Sequence, residues 1–279
     1  RGFTKFKKKG VKDVIAFPQA WLVNNDKLFI QKYGDIKFKG NIRNKNKTIK
    51  TVTVTYKNNK FYASILYEDF NSYKKELIDN IVGVDFGVVN PLTVTDGDTL
   101  KYVGKSIKRR LKKVNLQRLR QQRNLSRKKK GSFNYNKNKI KVGLLFEKEQ
   151  RIRKDFAHQV SYRLASKFNK VAIEDLNISN MTKSSKGTIT NPGVNVKQKS
   201  GLNRELLNIG IGRIVQYLSY KTNKYGGKLI LINPSFTSQE CNKCRYTHKN
   251  NRKNQATFEC LRCNNNINAD YNAALNIRN

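Results

Sequence analysis

Every cysteine of the 279-residue chain falls into one pattern: Cys241-x2-Cys244, fifteen intervening residues, then Cys260-x2-Cys263. Each pair offers two soft ligands at a spacing that suits one tetrahedral ion, so the pattern predicts a four-thiolate Zn²⁺ ribbon. The stretch between the pairs is too small to hold a core, which makes the ion its staple. Disulfides are the competing reading, disfavoured in an intracellular basic protein, and unrelated thiols are the other. A site closed by four cysteines is structural, so this zinc is expected to hold the fold and not to catalyse.

Charge narrows the partner. The 58 Lys and Arg against 19 Asp and Glu leave a formal charge of +39, and such a surface repels itself until polyanions neutralise it. Nucleic acid is the expected partner. A membrane is not, because the positive charge runs along the whole chain instead of clustering beside an amphipathic helix or lipid anchor. The sequence shows neither a run of about twenty apolar residues nor the pattern of a secretory leader, so an intracellular location is expected. Hydrophobic residues at 37% suffice for one or two domains with cores. The chain opens on Arg1, and an N-terminally truncated chain is the expectation.

Residues 1–75 carry period-two stretches at Lys50–Tyr56 and Phe61–Tyr67 around a turn at Lys57–Lys60, with further strand-like runs at Lys27–Gln31 and Ile36–Lys39. They predict a small β-barrel or sheet. Ile81–Val89 then reads as an apolar strand interrupted by Asp85, antiparallel to Leu92–Thr95 and followed by a turn at Asp96-Gly97. From Thr99 to Phe146 there is no acidic residue and there are 17 Lys and Arg. Ile107, Leu111 and Val114 mark a basic helix there, turned at Lys130-Gly131-Ser132 onto a second helix from about Lys137 to Lys170. The apolar stripe of the second runs through Ile140, Leu144, Ile152, Phe156, Val160, Leu164 and Phe168. A strand at Val171–Leu176, a flexible polar segment at Asn177–Ser200, a helix at Asn203–Tyr225, a strand at Lys228–Ile232 and a last helix from near Asn268 complete an α/β half.

Acidic residues are scarce, so those in apolar surroundings need a reason. Asp85 lies among Ile and Val, Glu174 ends a Val-Ala-Ile strand, and Asp270 opens an Ala-rich helix. Three carboxylates converging from separate elements suit Mg²⁺, a hard ion that keeps waters for a phosphate substrate. Taken singly, Asp270 also reads as a helix cap, Glu174 as a strand-end acceptor and Asp85 as a turn former. Lys108, Arg109, Arg110, Lys112 and Lys113, with Arg127, Lys128, Lys129 and Lys130 at the turn, fit tracking of a nucleic-acid backbone. Phe133, Tyr135, Tyr220 and Tyr225 are available to stack bases, although core positions are expected for most such aromatics. His158 and His248 read as structural or exposed.

In this order the motifs resemble the transposon-associated TnpB (OrfB) family and the related miniature type V CRISPR effectors, over almost the whole chain. Ile81–Gly87 resembles the first RuvC motif, Val171–Leu176 the second and Asn268–Ile277 the third, and Thr237–Cys241 is similar to the family's approach to its zinc ribbon. The resemblance implies an α/β, RNase H-like RuvC nuclease core over residues 76–240, including a basic helical hairpin at 105–170. It further implies a wedge-like, oligonucleotide-binding-like β-barrel portion over 1–75, the inserted ribbon over 241–263 and a closing RuvC helix over 264–279. Asp85, Glu174 and Asp270 become a catalytic triad for Mg²⁺ or Mn²⁺ in an RNA-guided DNA endonuclease of a transposable element. Its partners are a guide RNA from the transposon end and double-stranded target DNA. Two other readings stand beside it: a nuclease-silent or truncated relative that binds RNA and DNA as a module or repressor, and a plain zinc-ribbon binder of ribosomal or transcriptional type. Nothing in the sequence specifies an oligomeric state. The chain departs from the family at Ala269, where many members carry Arg, and at Arg245 and Asn264, where glycine usually follows each CxxC. No ligand is lost, so both metal sites are expected to survive.

Overall fold

The computed structural model describes residues 13–24, 26–40, 48–68, 76–96 and 100–279. Gly97 of the expected Asp96-Gly97 turn lies outside the described residues, as do parts of the 1–75 segment. The chain divides into two compact units, residues 1–72 with 121–144, and residues 73–120 with 145–279.

In the first unit, β1 (Asp13–Phe17), β2 (Ala20–Asn24), β3 (Lys27–Ile30), β4 (Gly34–Lys37), β5 (Ile49–Lys57) and β6 (Lys60–Tyr67) form two antiparallel sheets, ordered β1-β5-β6 and β2-β3-β4. Among the described residues the expected barrel or sheet takes the form of two three-stranded sheets, neither closed on itself. Ala20, Leu28, Ile30 and Val52 are buried together as their shared core. The Lys57–Lys60 turn forms as expected, with Asn58 and Asn59 at φ +51° and +58°. Two successive left-handed residues make a turn whose twist matches that of the flanking strands.

The second unit is built on β7 (Ile78–Asp85), β8 (Leu92–Thr95) and β9 (Leu100–Val103), followed by α1 (Lys105–Ser126) and α2 (Phe133–Ala165), whose mutual turn belongs to the first unit. Next come β10 (Phe168–Glu174), α3 (Ile178–Met181), α4 (Val196–Ile209), α5 (Ile211–Tyr225) and β11 (Lys228–Ile232). The chain ends with β12 (Thr257–Glu259), β13 (Asn266–Asn268) and α6 (Ala269–Arg278). The main sheet is ordered β11-β10-β7-β8-β9, with β10 parallel to both β7 and β11, and β7, β8 and β9 antiparallel in turn.

Alternation along these strands sorts residues to two faces. Val82 and Val84 of β7, Leu92 and Val94 of β8, and Val171 and Ile173 of β10 join one buried cluster with Ala157, Val160 and Leu164 of α2. Leu206 and Ile209 of α4 and Ile211, Ile214 and Leu218 of α5 complete that cluster. Gly83 and Asp85, Ala172 and Glu174, and Thr93 therefore face the other way, toward α6. Gly83 admits the helix: a Cβ there would stand 2.1 Å from the Ala274 carbonyl oxygen.

Three helical expectations are corrected. The helix α2 ends at Ala165 and Phe168 begins β10, because a buried aromatic satisfies a helical stripe and a strand equally well. The single helix expected over Asn203–Tyr225 is two, α4 and α5, broken at Gly210, whose φ of +74° caps the first and opens the second. The segment expected to be flexible over Asn177–Ser200 contains α3 and the first turn of α4. Of the aromatics, Phe133 at 80% and Tyr220 at 47% are exposed, against the core expectation, while Tyr135 and Tyr225 are half-buried.

Candidate metal centres

Asp85 and Glu174 end adjacent parallel strands, and the register Gly83↔Ala172, Val84↔Ile173 carries them to the same level of the sheet. Asp270 arrives from α6. Ala274 lies over Gly83, and Asp270 is one helical turn before it, so the helix delivers its first-turn carboxylate toward the end of β7 that carries Asp85. The cap of α6 is Asn268, whose side chain accepts from Tyr271 N at 3.1 Å. The cap reading of Asp270 is thereby corrected.

Electrostatics marks the three as neighbours. Asp85 is pushed up to about 7, first by burial and then by repulsion from Glu174 and Asp270, against the pull of Arg252 and a backbone hydrogen bond at Phe86. Burial raises Glu174, and the Thr237 hydroxyl, donating to its Oε1 at 2.5 Å, opposes this. Asp270 accepts from Asn90 Nδ2 at 3.1 Å through Oδ2 and faces Arg252 Nη2 at 3.7 Å through Oδ1. Thr93, paired with Asp85 across β7 and β8, holds a buried hydroxyl without a hydrogen-bond partner. A buried carboxylate crowded by two others beside an orphaned hydroxyl fits a hydrated hard cation. The three carboxylates share a face but are not gathered as tightly as the cysteines, which form the one compact cluster of possible ligand atoms among the described residues.

Asn90, Thr93, Thr237 and Arg252 were not singled out as functional by sequence reasoning, nor were Asn272 and Asn276. The last two are buried on α6 and donate to the Thr237 and Glu240 carbonyls at 2.7–2.9 Å, pinning the turn that brings Thr237 to Glu174. Their signal was available: Asn268, the cap of α6, and Asn272 and Asn276 recur every four residues and so fall on one face.

The four cysteine Sγ atoms lie within 4.8 Å of one another, with Cys241 and Cys263 at 3.7 Å and Cys244 and Cys260 at 3.5 Å. Thiolates on one tetrahedral Zn²⁺ stand roughly 3.8 Å apart, given metal–sulfur bonds of about 2.3 Å, whereas a disulfide requires about 2.05 Å. The donor set therefore fits Zn²⁺, and all four cysteines are free thiols. The unusual residues at the two knuckles take the conformation that glycine would: Arg245 has φ +60° and Asn264 φ +54°. Their N–H groups donate to Cys241 O and Cys260 O, each at 2.9 Å. Ala269 is fully buried with Cys241, Phe258 and Cys260.

Of the basic candidates, Lys108 donates to the carbonyls of Val88 and, at 3.2 Å, Val89, and so clasps the loop after β7. Arg109, Arg110, Lys112 and Lys113 on α1 are exposed, as are Arg127, Lys128, Lys129 and Lys130 at the turn. His158 stacks on Tyr217 at 4.1 Å, and His248 accepts from Asn250 N at 3.2 Å, both in structural roles. No described helix is long and apolar enough to cross a membrane.

A family model described as "Probable transposase" matches residues 64–185, and one described as "Cas12f1-like, TNB domain" matches residues 212–277. Over 277 residues the chain is 38% identical to the "Putative RNA-guided DNA endonuclease InsQ" of Escherichia coli (strain K12), covering 99% of this chain and 67% of that protein. It is 47% identical over 62 residues to the CRISPR-associated endodeoxyribonuclease Cas12f1 of Sulfoacidibacillus thermotolerans, 22% of this chain and 15% of that one. The cryo-EM structure of a Cas12f1-sgRNA-target DNA complex matches with a TM-score of 0.58 and 21% identity over 84% of this chain and 46% of that chain. The chain thus spans about two thirds of the first of these relatives and under half of the Cas12f1 chain in that complex.

Proposed function

This chain belongs to the TnpB (OrfB) family, and we propose that it is an RNA-guided, Mg²⁺-dependent DNA endonuclease whose catalytic carboxylates are Asp85, Glu174 and Asp270. The observation that carries the reading is the convergence of three carboxylates on one face, Asp85 and Glu174 at the ends of paired strands and Asp270 from α6, where burial first and repulsion from the other two next push Asp85 up to about 7. Such repulsion is relieved by a cation. The strand order of the main sheet, with three antiparallel strands and two added in parallel, supports an RNase H-like, RuvC-type core. The sheets of the first unit read as part of a wedge, and the cysteines as ligands of structural zinc. The partners are a guide RNA from the transposon end and double-stranded target DNA, met inside the cell.

In this reading Mg²⁺ or Mn²⁺ supplies activation of water and stabilisation of the leaving oxygen. The residues do the rest. Asp85 gives up its proton as the cation is taken, Thr237 holds Glu174 in one rotamer, and Asn90 fixes one oxygen of Asp270. Arg252, contributed by the ribbon, balances the carboxylates and is placed to meet a phosphate. The exposed cations of α1 and of its turn track the backbone.

The test is cleavage of a randomised plasmid library by the chain expressed with its flanking DNA. The expected result is cutting beside one short fixed motif in Mg²⁺, abolished by Asp85→Ala, together with a calorimetric Mn²⁺ signal lost in Glu174→Gln. Undiminished cutting by Asp85→Ala overturns the site. A discrete RNA retained without any cutting identifies the nuclease-silent binding module instead.

A further inference from the structure

A concavity of about 780 Å³ lies between α1, α2 and α4, lined by none of the three carboxylates. That is the size range of small-molecule and cofactor sites. Its walls carry six basic side chains and two acidic ones. One acid, Glu149, is buried and already engaged, accepting from Arg118 Nε at 2.9 Å and facing Arg153 Nη2 at 3.6 Å. Arg153 also donates to Asn208 Oδ1 at 2.7 Å, while its Nε is a buried donor with no acceptor. At the rim, Arg109, Lys112 and Arg204 are exposed and make no ion pair among the described residues. Their charge is free for an anion.

The floor is of a different kind. Ile107, Leu111 and Ile209 are buried apolar side chains lining the cavity. Beside them Phe146, 42% exposed, carries the Arg118 guanidinium at 4.5 Å from its ring centroid. A ring and a guanidinium plane held rigid at the edge of an apolar floor form a surface on which a planar heterocycle stacks. Free cations at the rim and a stacking surface within match the two halves of a nucleotide. A peptide carboxylate would use only the first, and a duplex, its bases stacked internally, only the rim.

We propose that this cavity is a nucleotide pocket, which takes one unpaired base onto Phe146 and Arg118 and its phosphate onto Arg109, Lys112 and Arg204. The inference rests on the reading that the chain binds nucleic acid, and adds which kind of segment: a single-stranded one. Its position gives it a consequence. Lys108 and Pro91 line the cavity, Lys108 clasps Val88 and Val89, and Asn90 of the same loop holds Asp270. One short loop therefore separates the pocket from the carboxylates.

The test uses the full chain and fluorescein-labelled 12-mers at 0.15 M salt: single-stranded RNA, single-stranded DNA, the duplex, and a strand in which every base is replaced by an abasic site. Phe146→Ala is expected to weaken single-strand binding about 5- to 50-fold, the range of one lost base stack, and to leave the duplex unchanged. Arg204→Ala should lower the salt slope of log K by about 1, and the abasic strand should bind the wild type and Phe146→Ala equally. In the unaltered chain, 4-thiouridine RNA or 4-thiothymidine DNA should photocrosslink to peptides of α1, α2 or α4 that line the cavity, and whichever crosslinks identifies the source of the strand. Equal affinity of wild type and Phe146→Ala for single strands, or crosslinks confined to other segments, overturns the pocket while leaving nucleic-acid binding intact. Failure of the wild type to bind any of the four overturns both.

Discussion

Asn and Arg are not equal substitutes for glycine at a knuckle. A left-handed residue costs an L side chain roughly 1–2 kcal/mol, which Asn offsets best, and Arg245 has only a half-exposed ion pair to Glu240 at 2.9 Å in return. Asn264→Gly should therefore change stability by less than about 0.5 kcal/mol, whereas Arg245→Val, a β-branched residue at positive φ, should cost about 1–2 kcal/mol. Zn²⁺ competition titration would read the second as a 5- to 30-fold weaker site. Asp85 supplies a pH dependence. Its folded pKa of about 7 lies above the ordinary 3.8, so the metal-free folded chain holds a proton that the unfolded chain releases. The associated stability is complete below about pH 4 and lost as pH rises through about 7, on the order of 4 kcal/mol by linkage. Denaturant unfolding in chelator should show the wild type losing ground to Asp85→Asn between pH 5.5 and pH 8, and Mg²⁺ should close the gap. Parallel pH profiles would show that Asp85 is not so perturbed.

Among the elements, α6 depends on Gly83 more than on its own propensity. The helix has ten residues, too few to persist alone, and its seat on β7 leaves no space for a methyl group. Gly83→Ala should shift α6 outward, cost about 1–3 kcal/mol as an overpacked contact, and weaken Mn²⁺ binding through displacement of Asp270, a change visible by calorimetry. Gly210 is the opposite case. Nothing lies within 4 Å of its would-be Cβ, so only its φ of +74° resists substitution. Gly210→Ala should cost about 1 kcal/mol in thermal unfolding with metal binding untouched. The break at Gly210 escaped sequence reading because Leu206, Ile209, Ile211, Ile214 and Leu218 enter one core cluster and mimic a single apolar stripe.

At the scale of the whole molecule, the cysteine ribbon and the proposed carboxylate site are joined within the second unit. Ala269, the first residue of α6, is buried in the ribbon's core, and Arg252 reaches from the ribbon to Asp270. Chelation of the zinc proposed for the ribbon should therefore unfold residues 241–263, leave the five-stranded sheet protected in hydrogen exchange, and still abolish the proposed DNA cleavage. Cleavage that survives complete zinc removal would uncouple the two. The ribbon, the Asn58-Asn59 turn, the strands bearing Asp85 and Glu174 and the basic hairpin were legible because each is a local pattern, in which ligand spacing, turn chemistry or periodicity acts over a few residues. Even the three carboxylates stood out, since charge in an apolar run is a local anomaly. Their common face, the raised pKa of Asp85, the partners Asn90, Thr237 and Arg252, and the cavity of α1, α2 and α4 came from contacts between residues far apart in the chain, 180 positions in the case of Asn90 and Asp270. Such contacts depend on strand order and on one missing Cβ, quantities that no short window of sequence contains.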